Sequence, residues 1–119
     1  MGLNQLQRFH VSMRYSDMAI YGGVVYLGGQ ITNDTSLDIA GQTQDVLSQI
    51  EVLLIQAGSS KTCILRAEIF LADMSDYDDM NRVWDAWVVA GHAPPRATLQ
   101  AKLADPAVKV EILITAAAQ

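Results

Sequence analysis

Two charged residues stand where packing argues against charge. Arg96 follows Pro94-Pro95 at the head of the strand-like run "RATLQAKL", and Glu111 interrupts the apolar run "VKVEILITA". A guanidinium presents a planar fork of donors that matches a carboxylate. A carboxylate accepts hydrogen bonds from water and can act as a base or a positioner. Together they describe a site where a small anionic molecule is held and attacked by water. The same two residues also serve a salt bridge across a sheet or a contact between subunits. On these two residues alone that structural reading has the stronger claim, because structural ion pairs are common.

Other residues with chemical potential carry less. "DMSDYDD" has the look of a calcium loop, but Asp78 occupies the place of the central glycine and Trp84 the final ligand position. Asp76, Asp78 and Asp79 read better as acids at a helix N-terminus. His10 and His92 have no ligand spacing around them, and Tyr15 and Tyr26 fit core or rim positions. Asn81 lies between Tyr77 and Trp84, beside an apolar helix stripe, where its amide can bond a nearby loop or reach a site. Cys63 is the single cysteine, so neither an internal disulfide nor a cysteine metal cluster is possible.

The elements that must position these groups follow from periodicity. "QRFHV" is a short edge strand. "SDMAIYGGVVYLGGQI" is a hairpin with its turn at Gly22-Gly23. Gly28-Gly29 then puts bare backbone at the strand's end, open to a ligand or another chain, or to a simple bulge. A helix from about Asp38 to Ala57 carries the stripe Ile39, Val46, Leu47, Ile50, Leu53, Leu54 and Ala57, with Gly58 as its stop. The strand "KTCILRAEIFLAD" sets Leu65, Ala67, Ile69 and Leu71 on one face. A second helix starts near Ser75 and ends by Gly91, with Tyr77, Met80, Trp84, Trp87 and Val88 as its stripe.

Two helices cover one face of one sheet, which predicts a two-layer α+β sandwich. The strands are apolar on both sides, so the face without helices is expected to need cover, and self-association is the simplest cover. In the last two strands Arg96, Thr98 and Gln100 share one face, and Lys109, Glu111, Leu113 and Thr115 share another. A tight connection over 103–107 predicts Thr98 as a cross-strand neighbour of Glu111 and Arg96 one diagonal away, all pointing away from the helices.

The bounds agree. A chain of 119 residues, 50% hydrophobic and 18% charged, is read as one globular domain over 1–119. A net charge of −5 with no basic stripe makes nucleic acid and anionic membrane poor partners. The sequence has no run of membrane-span length and no apolar signal core, and a cytoplasmic protein is expected.

In order along the chain, "RYS" (14–16), "YLGGQI" (26–31), the helix end "IQAG" (55–58), "IFLADMSDYDDMN" (69–81), "PPR" (94–96) and "VKVEI" (108–112) resemble the RidA/YjgF family of small imine deaminases. The resemblance implies a chorismate-mutase-like α+β fold assembled as a homotrimer, with clefts between subunits. It implies hydrolysis of short-lived 2-imino acids, such as those released by pyridoxal-phosphate-dependent dehydratases, to 2-keto acids and ammonia, with neither metal nor organic cofactor. Arg96 matches the arginine that holds the substrate carboxylate and Glu111 the glutamate that positions water. Tyr15 matches the pocket tyrosine, Gly29 the glycine beside the ligand, and Asn81 a polar helix residue near the site. Gly28 and Thr98 stand where the family often has Ser and Cys, which implies altered substrate preference. A non-catalytic protein that binds a keto acid or amino acid in the same pocket is the alternative. RNA cleavage, attributed to some relatives, is disfavoured by the acidic charge.

Overall fold

The computed structural model describes residues 5–119. Its elements run β1 (Gln7–Phe9), β2 (Met18–Tyr21), β3 (Val24–Leu27), α1 (Ile39–Gln56), β4 (Ile64–Leu71), α2 (Tyr77–Trp87), β5 (Arg96–Gln100) and β6 (Val110–Ala117). Gly22 and Gly23 take φ values of 61° and 78°, both positive, as a two-residue hairpin turn requires. α1 begins where the Asp38 carboxylate accepts the Gly41 N–H at 2.8 Å, a side-chain cap for a donor the helix leaves unpaired. Six members of its predicted stripe, from Ile39 to Leu54, are buried. α2 buries Met80, Trp84 and Trp87. It ends at Trp87 rather than near Gly91, and the predicted start at Ser75 lies in a separate short turn over Met74–Asp76.

All six strands form one sheet in the order β1-β2-β3-β6-β4-β5. β6 inserts between β3 and β4, antiparallel to both. It alternates buried and half-buried residues along its whole length, the pattern of a central strand. β5 runs parallel to β4 at the edge of the sheet, and α2 is the crossover that a parallel pair demands. Both helices pack on one face against the inner rows of the strands. The result is the expected two-layer α+β sandwich with a mixed sheet.

Two local expectations are corrected. The segment after β5 makes no tight hairpin to β6, because β4 lies between the two strands. In β4 the register shifts between Ile64 and Arg66, so Ile64 turns into the core and Leu65 is left half exposed. The core row is therefore Ile64, Ala67, Ile69 and Leu71.

The outer face of the sheet is partly apolar, as the strand patterns indicate. Tyr21, Tyr26, Leu65 and Leu99 are each about half exposed. On the inner side, Gln42 is a fully buried polar residue of α1. Its amide donates to the carbonyls of Leu37 and Ala107, each at 3.1 Å, and its Oε1 accepts the Lys109 N–H at 2.8 Å. That clamp ties α1 to the segment entering β6, two residues before Glu111. Among the described residues no helix is long and apolar enough to cross a membrane.

Candidate active site

The candidate residues fall into two groups. The first lies on the outer face at one end of β6. Val110 and Ile112 face the core, so alternation turns Glu111 outward. Gln30 and Ile112 exchange backbone hydrogen bonds of 2.9 and 3.1 Å, which brings the chain just after β3 alongside β6. Gly29 consequently lies against the Glu111 side chain: a β-carbon at position 29 would meet its carboxylate. Among the described residues the Glu111 carboxylate has no hydrogen-bond or ion-pair partner.

Gly28 joins this group to Tyr15. Its N–H donates to the Asp17 carbonyl at 2.8 Å, and Asp17 N–H donates to the Phe9 carbonyl at 3.1 Å. A β-carbon at position 28 would face the Ser16 carbonyl at 3.3 Å and the Asp17 carbonyl at 3.5 Å. A serine there thus presses on the backbone that carries Tyr15. Ser12 shapes the preceding turn. Its hydroxyl donates to the Tyr15 carbonyl at 2.8 Å and accepts the Arg14 and Tyr15 N–H groups. Tyr15 is 67% exposed at the turn's end.

The second group lies on the helix side of β5. Arg96 pairs with Ala67 and Thr98 with Ile69, and both of those partners are core residues. The row Arg96, Thr98 and Gln100 therefore faces α2, opposite to the predicted orientation. Gln100 Oε1 accepts the Met74 N–H at 2.7 Å, which fixes the same assignment at the other end of the strand. The Arg96 guanidinium lies 5.4 Å from the Trp84 ring centroid and 5.9 Å from that of Tyr77, and Nη2 donates to the Tyr77 hydroxyl at 3.3 Å. Among the described residues no carboxylate pairs with it. Asn81 Oδ1 and Thr98 Oγ1 are buried with no hydrogen-bond partner among the described residues.

One chain does not bring the two groups together. Glu111 pairs with Phe70, and Phe70 with Leu99, so β4 separates Glu111 from β5 by two strand spacings, about 10 Å. The two charges also lie on opposite faces. A salt bridge between Arg96 and Glu111 within the chain is excluded. The adjacency predicted for Thr98 and Glu111 depended on the hairpin that β4 interrupts.

Three positioning features escaped the sequence reading. Tyr77 and Trp84 read from the sequence as apolar stripe alone. Gln42 sits three residues after Ile39 and four before Val46, a stripe position filled by an amide, which was the available signal. Asp45 accepts the Thr32 hydroxyl at 2.6 Å and the Asn33 N–H at 2.8 Å. It pins the loop that follows Gly28-Gly29 to α1, and these hydrogen bonds hold its carboxyl below the usual range, the Thr32 hydroxyl having the largest effect.

The profile of a family described as endoribonuclease L-PSP matches residues 5–118. A RutC family protein of Haemophilus ducreyi is 49% identical over 112 residues, covering 94% of this chain and 96% of that protein. The RutC family protein YoaB of Escherichia coli K12 is 47% identical over 110 residues, covering 92% and 96%. The crystal structure of a YjgF family protein from Neisseria meningitidis superposes with a TM-score of 0.96 at 42% identity, covering 99% of this chain and 98% of that one.

Proposed function

The chain belongs to the RidA/YjgF/RutC family, and we propose that it hydrolyses reactive 2-imino acids to 2-keto acids and ammonia in the cytoplasm, as a homotrimer whose sites lie between subunits. One observation carries this reading. Among the described residues, Arg96 and Glu111 are half-buried charges without counter-charges, displayed on opposite faces of one sheet. Holding an unpaired charge away from bulk water is costly unless something arrives to meet it. A site using both groups needs the β5 edge of one chain brought to the outer face of another. The half-exposed Tyr26 and Leu99 give that face apolar surface to bury on assembly.

In the resulting cleft the Arg96 fork binds the substrate carboxylate through two parallel hydrogen bonds. Glu111 accepts a proton from water as the water oxygen bonds to the imine carbon. The proton passes to the nitrogen to give a carbinolamine. Its hydroxyl proton is then relayed through Glu111 to the amino group, the C–N bond breaks as the C=O bond forms, and ammonia leaves a 2-keto acid behind. Each step moves protons and forms or breaks one bond to carbon, with no change of oxidation state, so a carboxylate and a guanidinium suffice. Tyr15, Gly28, Gly29, Asn81 and Thr98 line or border the two halves. The hydroxyl of Thr98 and the missing side chain at Gly28 tune which substrate fits.

The test generates a series of imino acids with an amino-acid oxidase and follows keto-acid release with and without the protein. Accelerated hydrolysis that is lost in Arg96→Ala supports the proposal. Keto-acid binding without acceleration replaces it with the non-catalytic binding protein. Cleavage of RNA by the same preparation would favour the activity in the family's description, against the net charge of −5 that repels a polyanion.

A further inference from the structure

We propose that Tyr77 and Trp84 are positioning residues for Arg96, holding its guanidinium in one orientation without neutralising it. The inference rests on the reading of Arg96 as the carboxylate fork, and it names what aims that fork. Tyr77 and Trp84 are seven residues apart on α2, two turns along one helix face. The guanidinium lies against both rings, with centroids 5.9 and 5.4 Å away. Aromatic faces attract a cation through the ring quadrupole and restrict where its plane can lie. The Tyr77 hydroxyl adds one directional contact, accepting from Nη2 at 3.3 Å.

The choice of partner matters chemically. A guanidinium has five N–H donors, and a carboxylate beside Arg96 would occupy two of them and cancel its charge. That group would compete with an incoming anion. Two rings and one hydroxyl restrain the same side chain and leave its charge and most of its donors available. The acids of α2 do not fill the role: the Asp79 carboxylate pairs with Arg82 at 2.8 Å, and none of the helix's acids reaches Arg96. Trp84 is buried and Tyr77 is 38% exposed, so the cradle has one fixed wall and one wall at the surface.

The test uses the assembled protein and a readout that needs no turnover. The Arg96 Nε–Hε resonance is assigned by its loss in Arg96→Lys. In the parent it should be displaced by ring currents and sharp. Tyr77→Leu should move it towards the position of a free arginine, while Tyr77→Phe should keep the displacement and lose the hydroxyl tether. Titration with 2-oxobutanoate should show Kd raised about threefold to tenfold by Tyr77→Phe and further by Tyr77→Leu. In the Arg96→Lys background neither change should weaken binding again, which a merely structural role for Tyr77 would not predict. An undisplaced Arg96 signal in the parent, or an equal loss of affinity in both backgrounds, overturns the inference. A displaced signal that Tyr77→Leu abolishes, in a parent that neither binds a 2-keto acid nor accelerates imino-acid hydrolysis, upholds the cradle and overturns the deaminase reading instead.

Discussion

The Glu111 carboxylate and the Gly29 backbone occupy adjoining space: a β-carbon at position 29 would stand 2.9 Å from the carboxylate carbon and 3.1 Å from Cγ. The obstacle to any larger residue is therefore the far end of a flexible side chain rather than backbone. Gly29→Ala should fold and assemble normally, with stability changed by less than about 1 kcal/mol. It should displace the carboxylate by about an ångström, and a misplacement of that size can cost about a hundredfold in rate. We expect kcat to fall by roughly that factor with keto-acid affinity at Arg96 unchanged. Full turnover in Gly29→Ala would mean that the observed Glu111 position is not the working one.

Gln42 gives a stability prediction tied to the same strand. Gln42→Leu keeps the volume but strands the carbonyls of Leu37 and Ala107 and the N–H of Lys109, all of which the amide now serves. Each buried group left unpaired costs about 1–3 kcal/mol. Because part of that segment can relax towards water, we expect about 2–4 kcal/mol in total, read as a lower urea midpoint at unchanged m value. A loss below about 0.5 kcal/mol would show that the clamp is dispensable.

What the sequence disclosed, and what it hid, follows a physical boundary. The hairpin at Gly22-Gly23, the start of α1 after Asp38 and the burial of the α1 stripe are local, set by residues a few positions apart. The order of strands is not local. Parity along β5 places Arg96, Thr98 and Gln100 together, but which face they meet is set by the parallel register that pairs Arg96 with Ala67 and Thr98 with Ile69, and their distance from Glu111 by β6 lying on the far side of β4. Nothing in "RATLQAKL" encodes that. Leu65 failed for a related reason, since a single bulge reverses alternation beyond it. Arg96 and Glu111 were visible as charges in apolar runs, whereas the partners of Arg96 were hidden because Tyr77 and Trp84 also suit a core stripe.

Acid should weaken the loop that carries the glycine pair. The carboxyl of Asp45 is held below its ordinary value chiefly by the Thr32 hydroxyl, then by the Asn33 N–H. Asp34 is lowered by the Ser36 hydroxyl and N–H, and Asp73 by the Ser75 N–H and hydroxyl. A folded-state value below the unfolded one contributes stability that is complete above the unfolded value and is lost as pH falls through the folded one. Stability should therefore decline on acidification below about pH 4. Asp45→Asn should lower the melting temperature at pH 7 and make the acid decline shallower. A mutant whose melting curve parallels the parent's at every pH from 2 to about 7 would remove Asp45 from this account.

The opposite faces of Arg96 and Glu111 yield the most direct test of a shared site. Arg96→Ala should weaken keto-acid binding roughly ten- to a hundredfold and abolish most turnover, and Arg96→Lys should recover little because it lacks the fork. Glu111→Gln is nearly isosteric and should keep binding while losing turnover, since water is activated only once attack begins. In the proposed homotrimer each variant alone has three defective sites. Mixed trimers differ. Where the Glu111→Gln chain supplies Arg96 and the Arg96→Ala chain supplies Glu111, the site is whole. Random reassembly of equal amounts makes each interface whole with a probability of about one quarter under cyclic symmetry. We therefore expect the co-refolded mixture to regain about a quarter of parental activity, while the two proteins mixed without dissociation stay inactive. Light scattering must show trimers in both cases. No recovery after verified exchange would mean that the two charges do not act in one site shared between chains.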